Sequence, residues 1–158
     1  MLIEILTAGG LVVVTVAIHA VGFDVLLRAI VWSRVLATSG FRHVIGWVIG
    51  MTCWLILVHL LEISVWGLFY FWKGSLPDAE SAFYFSGVTY ATIGYGDLVL
   101  PKPWRMLAPL EGLTGILMCG LSAAFFFAVV TRWMSNWMRS KTALKPDAAA
   151  PMDSSNNS

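Results

Sequence analysis

Residues 89–97 read TYATIGYGD, and they lie between two long apolar segments of the chain. Glycine adopts positive φ at no steric cost, so Gly94 and Gly96 allow successive carbonyl groups to point toward the same side. Non-helical backbone at membrane depth is stable only where protein buries it or where it lines a water-filled path. If its neighbours span a bilayer, this stretch is expected to line such a path.

A short helix is predicted immediately before this stretch. Ser75, Pro77 and Asp78 are suitable residues for a helix start, and Glu80 suits a first turn. The glycines then end the helix, which we expect to run from about Asp78 to Ala91. Its apolar core is too short to cross a bilayer alone. The segment is therefore predicted to enter the membrane as a half-helix and to return as extended chain.

The composition indicates that the solvent of this chain is a bilayer. Of its 158 residues 58% are hydrophobic and 12% charged, and the mean hydropathy is +0.78. A chain this short cannot bury so much apolar surface in one water-facing core. An ordinary soluble enzyme, a disordered chain and a basic nucleic-acid binder are thereby excluded. Cys53 and Cys119 lie in apolar runs and suggest no disulfide framework.

Three segments are long and apolar enough to cross a membrane, and they predict an all-α membrane protein. The spans are expected at 5–23, 44–72 and 107–130. The chain accordingly divides into an N-terminal helix with a connector, a central domain, and a polar tail that is predicted to be disordered. The predicted bounds are 1–43, 44–140 (outer helix 44–72, short helix and loop 75–98, inner helix 105–135) and 141–158.

The basic residues predict the orientation. Seven of the ten lie in the first connector or after the third span, and the remaining three, Lys73, Lys102 and Arg105, lie between the second and third spans. Cytoplasmic loops carry the excess of Lys and Arg. We therefore expect the N-terminus and the 89–97 loop to lie outside and the C-terminus to lie in the cytoplasm, in the plasma membrane of a prokaryote.

The sequence TYATIGYGD, with its helix and two flanking spans, resembles the potassium channel pore family over about residues 44–132. Carbonyl filters of this class replace the hydration shell of K⁺. The resemblance implies a homotetramer in contact with lipid, with K⁺ as the transported ion and no cofactor. It assigns K⁺ coordination to Thr92, Ile93, Gly94, Tyr95 and Gly96, and support of the filter to Thr89, Tyr84, Phe85 and Asp97.

Two positions depart from the family pattern. Members often have Trp where this chain has Phe85, and a phenyl ring cannot donate a hydrogen bond to Asp97. Ala91 stands where many members have Thr, which removes a hydroxyl but no filter ligand.

Glu62 and Glu111 are the ionisable residues of the second and third spans that are expected to matter most. Groups of this kind are costly in a membrane, and we expect both to flank the short helix and to hydrogen-bond to its backbone or to the loop. Packing as neutral carboxyl groups is the alternative. Gly115 and Gly120 are candidate hinges of the inner helix, with close helix contact as the alternative. His59 and Glu62 share a helical face, but a metal site would need further ligands.

The sequence thus predicts a potassium-selective channel subunit through which K⁺ moves passively, without bond chemistry. A weakly selective cation channel and a non-conducting accessory subunit are the alternatives. An intramembrane enzyme is disfavoured because neither Gly-x-Ser-x-Gly nor His-Glu-x-x-His occurs. We also expect no nucleic-acid partner and no attached ligand-binding domain.

Overall fold

A computed structural model describes residues 2–33 and 41–143 of the chain. Within these ranges the protein is all-α and contains no strand. The helices are α1 (Leu2–Ser33), α2 (Phe41–Trp72), α3 (Ala79–Tyr90) and α4 (Leu107–Ala143), with a 3₁₀ turn at Lys102–Trp104. Residues 34–40 of the predicted connector and the predicted tail beyond residue 143 lie outside the described residues. The all-α prediction is confirmed for the part that the structure describes.

Of the four α-helices in the described ranges, three are long and apolar enough to cross a membrane. The qualifying segments are Glu4–Ser33, Arg42–Trp72 and Lys102–Thr142, and each contains an 18-residue window with a mean hydropathy of 2.2. This confirms the expected multi-pass membrane protein. α3 has only 12 residues, about 18 Å at 1.5 Å per residue, and cannot cross alone.

Local hydrogen bonds define both ends of α3. The Asp78 side chain caps the first turn, because its Oδ1 accepts a hydrogen bond from the Ser81 backbone N–H at 2.7 Å. At the other end the Ala91 N–H donates to the Gly87 carbonyl at 3.0 Å. The predicted helix runs from about Asp78 to Ala91, and in the structure these two residues are the caps of α3.

α4 continues to Ala143, well past the predicted end of the inner helix at residue 135. The extension contains no glycine or proline, and side chains one turn apart support it. The rings of Trp133 and Trp137 stack with centroids 6.2 Å apart, and the Lys141 ammonium lies 4.7 Å from the Trp137 ring. Likewise, α2 begins at Phe41 rather than at Val44.

The helices pack around two apolar clusters. Ala8 of α1, Trp66 of α2, Phe85 of α3 and Leu107 of α4 belong to one cluster. The other joins α1 and α2 through Leu26, Ile30, Met51 and Leu55, with Phe125 of α4 against it. α1 and α4 therefore run antiparallel to α2, and α3 is held between α2 and α4 at the end that carries the first cluster.

Candidate functional site

The loop after α3 has an alternating backbone. Thr92, Gly94 and Gly96 have φ values of 58°, 55° and 78°, whereas Ile93 and Tyr95 between them do not have positive φ. Alternation of this kind can bring successive backbone N–H groups to one face of a loop. Glycine adopts this conformation without strain at two of the three positions.

The last turn of α3 fixes the N–H face of this loop. The Val88 carbonyl accepts hydrogen bonds from the N–H groups of Ile93 at 2.8 Å and Gly94 at 3.1 Å. The Thr92 N–H donates to the Thr89 carbonyl at 2.9 Å. In the described part of the chain, no hydrogen bond from protein reaches the carbonyls of residues 92–95. The N–H groups of residues 92–94 are thus held by α3, whereas the carbonyls of residues 92–95 are available to accept from or coordinate another group.

Tyr84 fixes the far end of the loop. Its hydroxyl donates to Asp97 Oδ2 at 2.8 Å, and Asp97 Oδ1 accepts from the Leu98 N–H at 3.0 Å. The hydrogen bond to Asp97 raises the pKa of Tyr84 above its ordinary value. The sequence indicated that Phe85 cannot donate to Asp97, but it did not reveal that the neighbouring Tyr84 does.

Phe85 lies on a different side of α3 from Tyr84. It is buried, and its ring meets the Tyr70 ring edge to face with centroids 5.4 Å apart. Of the two aromatic residues expected to support the loop, Tyr84 reaches it and Phe85 packs between α3 and α2. Thr89 is half-buried in the last turn of α3.

The loop itself is uncovered in a single chain. Residues 91–97 are all exposed, with 53% of Ile93 and 70% of Tyr95 accessible. An exposed apolar patch rimmed by polar groups commonly marks an interaction surface. The exposed side chains of Ile93 and Tyr95 are therefore available to contact another chain.

Gly115 is a point of close approach between α4 and the end of α3. A Cβ added there would lie 2.1 Å from the Tyr90 carbonyl oxygen, a distance that no side chain can tolerate. At Gly120, the other candidate hinge, an added Cβ meets nothing within 4 Å. The structure thus favours close helix contact as the role of Gly115 and gives Gly120 no such role within one chain.

Glu111 connects three helices inside the protein. It is fully buried, and its carboxyl oxygens lie 2.8 Å from the Tyr70 hydroxyl and 2.5 Å from the Ser86 hydroxyl. Ser86 also contacts the Ile63 carbonyl at 2.9 Å. Glu111 flanks α3 as expected, but its partners are side chains rather than the helix backbone or the loop.

Replacement of Glu111 by alanine is expected to destabilise the protein. Loss of the carboxyl leaves the buried Tyr70 hydroxyl without its acceptor, which costs about 1–3 kcal/mol. Glu111→Gln retains an acceptor for Tyr70 and is expected to unfold near the wild-type temperature. The measurement is thermal unfolding of the purified protein in detergent. Glu80→Ala, at an exposed position of α3, is the control, and equal losses for Glu111→Ala and Glu80→Ala would contradict this role.

Glu62 is the centre of a second buried polar cluster. Its Oε1 lies 2.7 Å from His19 Nδ1 and its Oε2 lies 3.3 Å from His59 Nδ1. The Tyr90 hydroxyl donates to Oε2 as well. Like Glu111, Glu62 contacts side chains of α3 and not its backbone. The sequence did not identify His19 as a partner of Glu62. A histidine alone in an apolar span nevertheless indicates a buried polar contact, because such a group requires a polar partner.

Of three comparisons with known proteins, one found a match, and it covers the middle of the chain. Neither the curated proteins nor the solved structures yielded a match. Residues 56–132 match a family model, and this segment includes the second half of α2, all of α3 with its loop, and most of α4. The family that this segment matches is described as ion channel, and the match supports an ion channel.

Proposed function

We propose that this protein is a subunit of a homotetrameric potassium channel, and that residues 92–96 form its selectivity filter. The alternating backbone of the loop carries the proposal. The N–H groups of Thr92, Ile93 and Gly94 are bound by the end of α3 and no protein donor among the described residues reaches the carbonyls of residues 92–95, so four copies around an axis are proposed to present these carbonyls as stacked rings of oxygen atoms. Such rings replace the hydration shell of K⁺.

The ligands are proposed to be the carbonyl oxygens of Thr92, Ile93, Gly94 and Tyr95, with the Thr92 hydroxyl as the innermost ring. Gly96 completes the turn with its positive φ. Because α3 ends at Tyr90, its carbonyl end points toward the start of the filter, and a helix C-terminus favours a cation. Asp97, held by Tyr84, closes the outer end of the filter.

Four chains are required because one loop cannot surround an ion. A heterologous interface that closes by rotation produces a ring, and the exposed Ile93 and Tyr95 give each chain apolar surface to bury against the next. α2, α3 and α4 are proposed to form the pore domain, and α1 to pack outside it. In the proposed orientation the filter opens to the exterior and α4 ends in the cytoplasm.

Flux from liposomes tests whether the protein conducts. Purified protein is reconstituted into K⁺-loaded liposomes, and K⁺ efflux is measured after dilution into K⁺-free buffer, with protein-free liposomes as the control. We expect efflux well above that of protein-free liposomes, from a particle whose mass in solution is that of four chains. Efflux no greater than that of protein-free liposomes, from an intact tetramer, would favour a non-conducting accessory subunit instead.

A further inference from the structure

The polar cluster around Glu62 lies outside the filter and joins all four helices. His19 comes from α1, His59 and Glu62 from α2, Tyr90 from α3 and Ser122 from α4. His19 and Glu62 are almost completely buried, with 2% and 0% of their surfaces accessible. Polar groups at this depth are costly, so a cluster of five suggests a specific role.

The distances among three of these side chains suit a metal ion. One ligand atom from each of His19, His59 and Glu62 lies within 4.8 Å of the other two. Ligand atoms bound to Zn²⁺ at about 2.0–2.2 Å stand roughly 3.4 Å apart in a tetrahedron. The two Nδ1 atoms lie 2.7 Å and 3.3 Å from different oxygens of the Glu62 carboxyl group, so small shifts of these side chains bring three ligand atoms to this spacing.

The orientation of the two rings is also that of metal ligands. Both histidines turn Nδ1 toward the Glu62 carboxyl group and Nε2 toward the Ser122 hydroxyl, at 3.1 Å from His59 and 3.5 Å from His19. A histidine that binds a metal through one nitrogen usually donates its other N–H to an outer partner. A hydroxyl oxygen has two lone pairs, so Ser122 can accept from both rings.

The hydrogen atoms of the cluster are too few without a cation. Each neutral histidine, Tyr90 and Ser122 supplies one hydrogen, fewer than the close contacts that join them to one another and to Glu62. Hydrogens on both Nδ1 atoms leave one Nε2 atom without a donor, because the Ser122 hydroxyl can serve only one of them; hydrogens on both Nε2 atoms leave the Nδ1 lone pairs facing those of the Glu62 carboxylate. A metal ion between the Nδ1 atoms and the carboxylate uses these lone pairs as ligands and leaves both Nε2–H groups free to donate to Ser122.

We propose that His19, His59 and Glu62 bind a divalent transition-metal ion of the zinc class inside the membrane domain. Two imidazole nitrogens and one carboxylate are a ligand set that Zn²⁺ accepts. The Tyr90 hydroxyl, 3.0 Å from His59 Nδ1, is within reach as a fourth donor. Because His19 belongs to α1 and Tyr90 ends α3, the bound ion fastens the first helix to the helix that carries the filter loop.

Zinc binding by the purified full-length protein tests this site, with no dependence on flux. After dialysis against Zn²⁺, the metal content per chain is measured by mass spectrometry, and Co²⁺ is titrated as a spectroscopic probe. We expect about one zinc per chain and the visible absorption of tetrahedral Co²⁺. The third histidine of the chain supplies the control, because His43 lies elsewhere on α2 and His43→Ala should bind zinc like the wild type.

Two variants decide the outcome. His19→Leu should lose the zinc and the Co²⁺ absorption. Ser122→Ala keeps every ligand and should bind zinc about 10–100-fold more weakly, as expected for loss of an outer partner, and it remains decisive if His19→Leu does not fold. Zinc content in His19→Leu equal to the wild type, or a Co²⁺ affinity of Ser122→Ala equal to the wild type, would overturn the proposal. So would loss of zinc in His43→Ala, or a protein that retains no zinc.

Discussion

Replacement of Gly94 by valine is expected to abolish K⁺ flux while leaving the helices folded. Gly94 has φ +55°, a conformation that a β-branched residue adopts only with strain. The strain, about 1–2 kcal/mol, is relieved when the peptide rotates and its carbonyl leaves the ion path. We expect flux from liposomes to fall at least ~100-fold, which corresponds to about 2.8 kcal/mol of lost ion stabilisation as the carbonyls of one ring turn away.

Gly74→Val provides a matched control for this substitution. Gly74 also has positive φ, +59°, and an added Cβ meets nothing within 4 Å at either glycine. It lies between α2 and α3, away from the loop of residues 92–96. Both variants therefore carry similar backbone strain, but only Gly94→Val alters the proposed ion ligands. If Gly94→Val conducted K⁺ as well as Gly74→Val does, the loop would not be the filter.

Replacement of Gly115 by alanine is expected to disrupt the packing of α4 against α3. The added methyl group would lie 2.1 Å from the Tyr90 carbonyl oxygen. This obstacle is backbone and cannot rotate away, so the helices must separate. Overpacking typically costs about 1–3 kcal/mol, and a clash this close is expected at or above the upper end. Because Tyr90 ends the helix that carries the loop, K⁺ flux should fall as well.

The same substitution at Gly120 is expected to have the opposite effect on stability. Gly120 lies on the same helix, and an added Cβ there meets nothing within 4 Å. Alanine in a helix interior is more stable than glycine by about 0.5–1 kcal/mol. Thermal unfolding of both variants in detergent measures the difference. Equal unfolding temperatures for Gly115→Ala and Gly120→Ala would show that the close approach at Tyr90 does not limit stability.

The sequence predicted the helices well because their signals are local. A long apolar segment predicts a membrane-spanning helix by itself, and Asp78 predicts the start of α3 by the chemistry of its own side chain. The predicted ends of the helices were less accurate where contacts between side chains determine them. α4 continues beyond residue 135 because Trp133, Trp137 and Lys141 support one another along the helix.

The polar contacts between helices could not be predicted in the same way. His19 and Glu62 are 43 residues apart, and only the packing of α1 against α2 brings them together. The sequence marked both as polar residues in apolar spans but did not pair them. The role of Gly115 depends in the same way on where α3 ends against α4.

The reversal potential of the reconstituted channel tests potassium selectivity most directly. The purified protein is inserted into a planar bilayer with K⁺ on one side and Na⁺ on the other, and the voltage of zero current is measured. A filter of carbonyl rings from residues 92–95 predicts a large reversal potential that follows the K⁺ gradient and is insensitive to Na⁺. A reversal potential near zero, equally sensitive to both ions, would contradict the account and indicate a weakly selective cation channel.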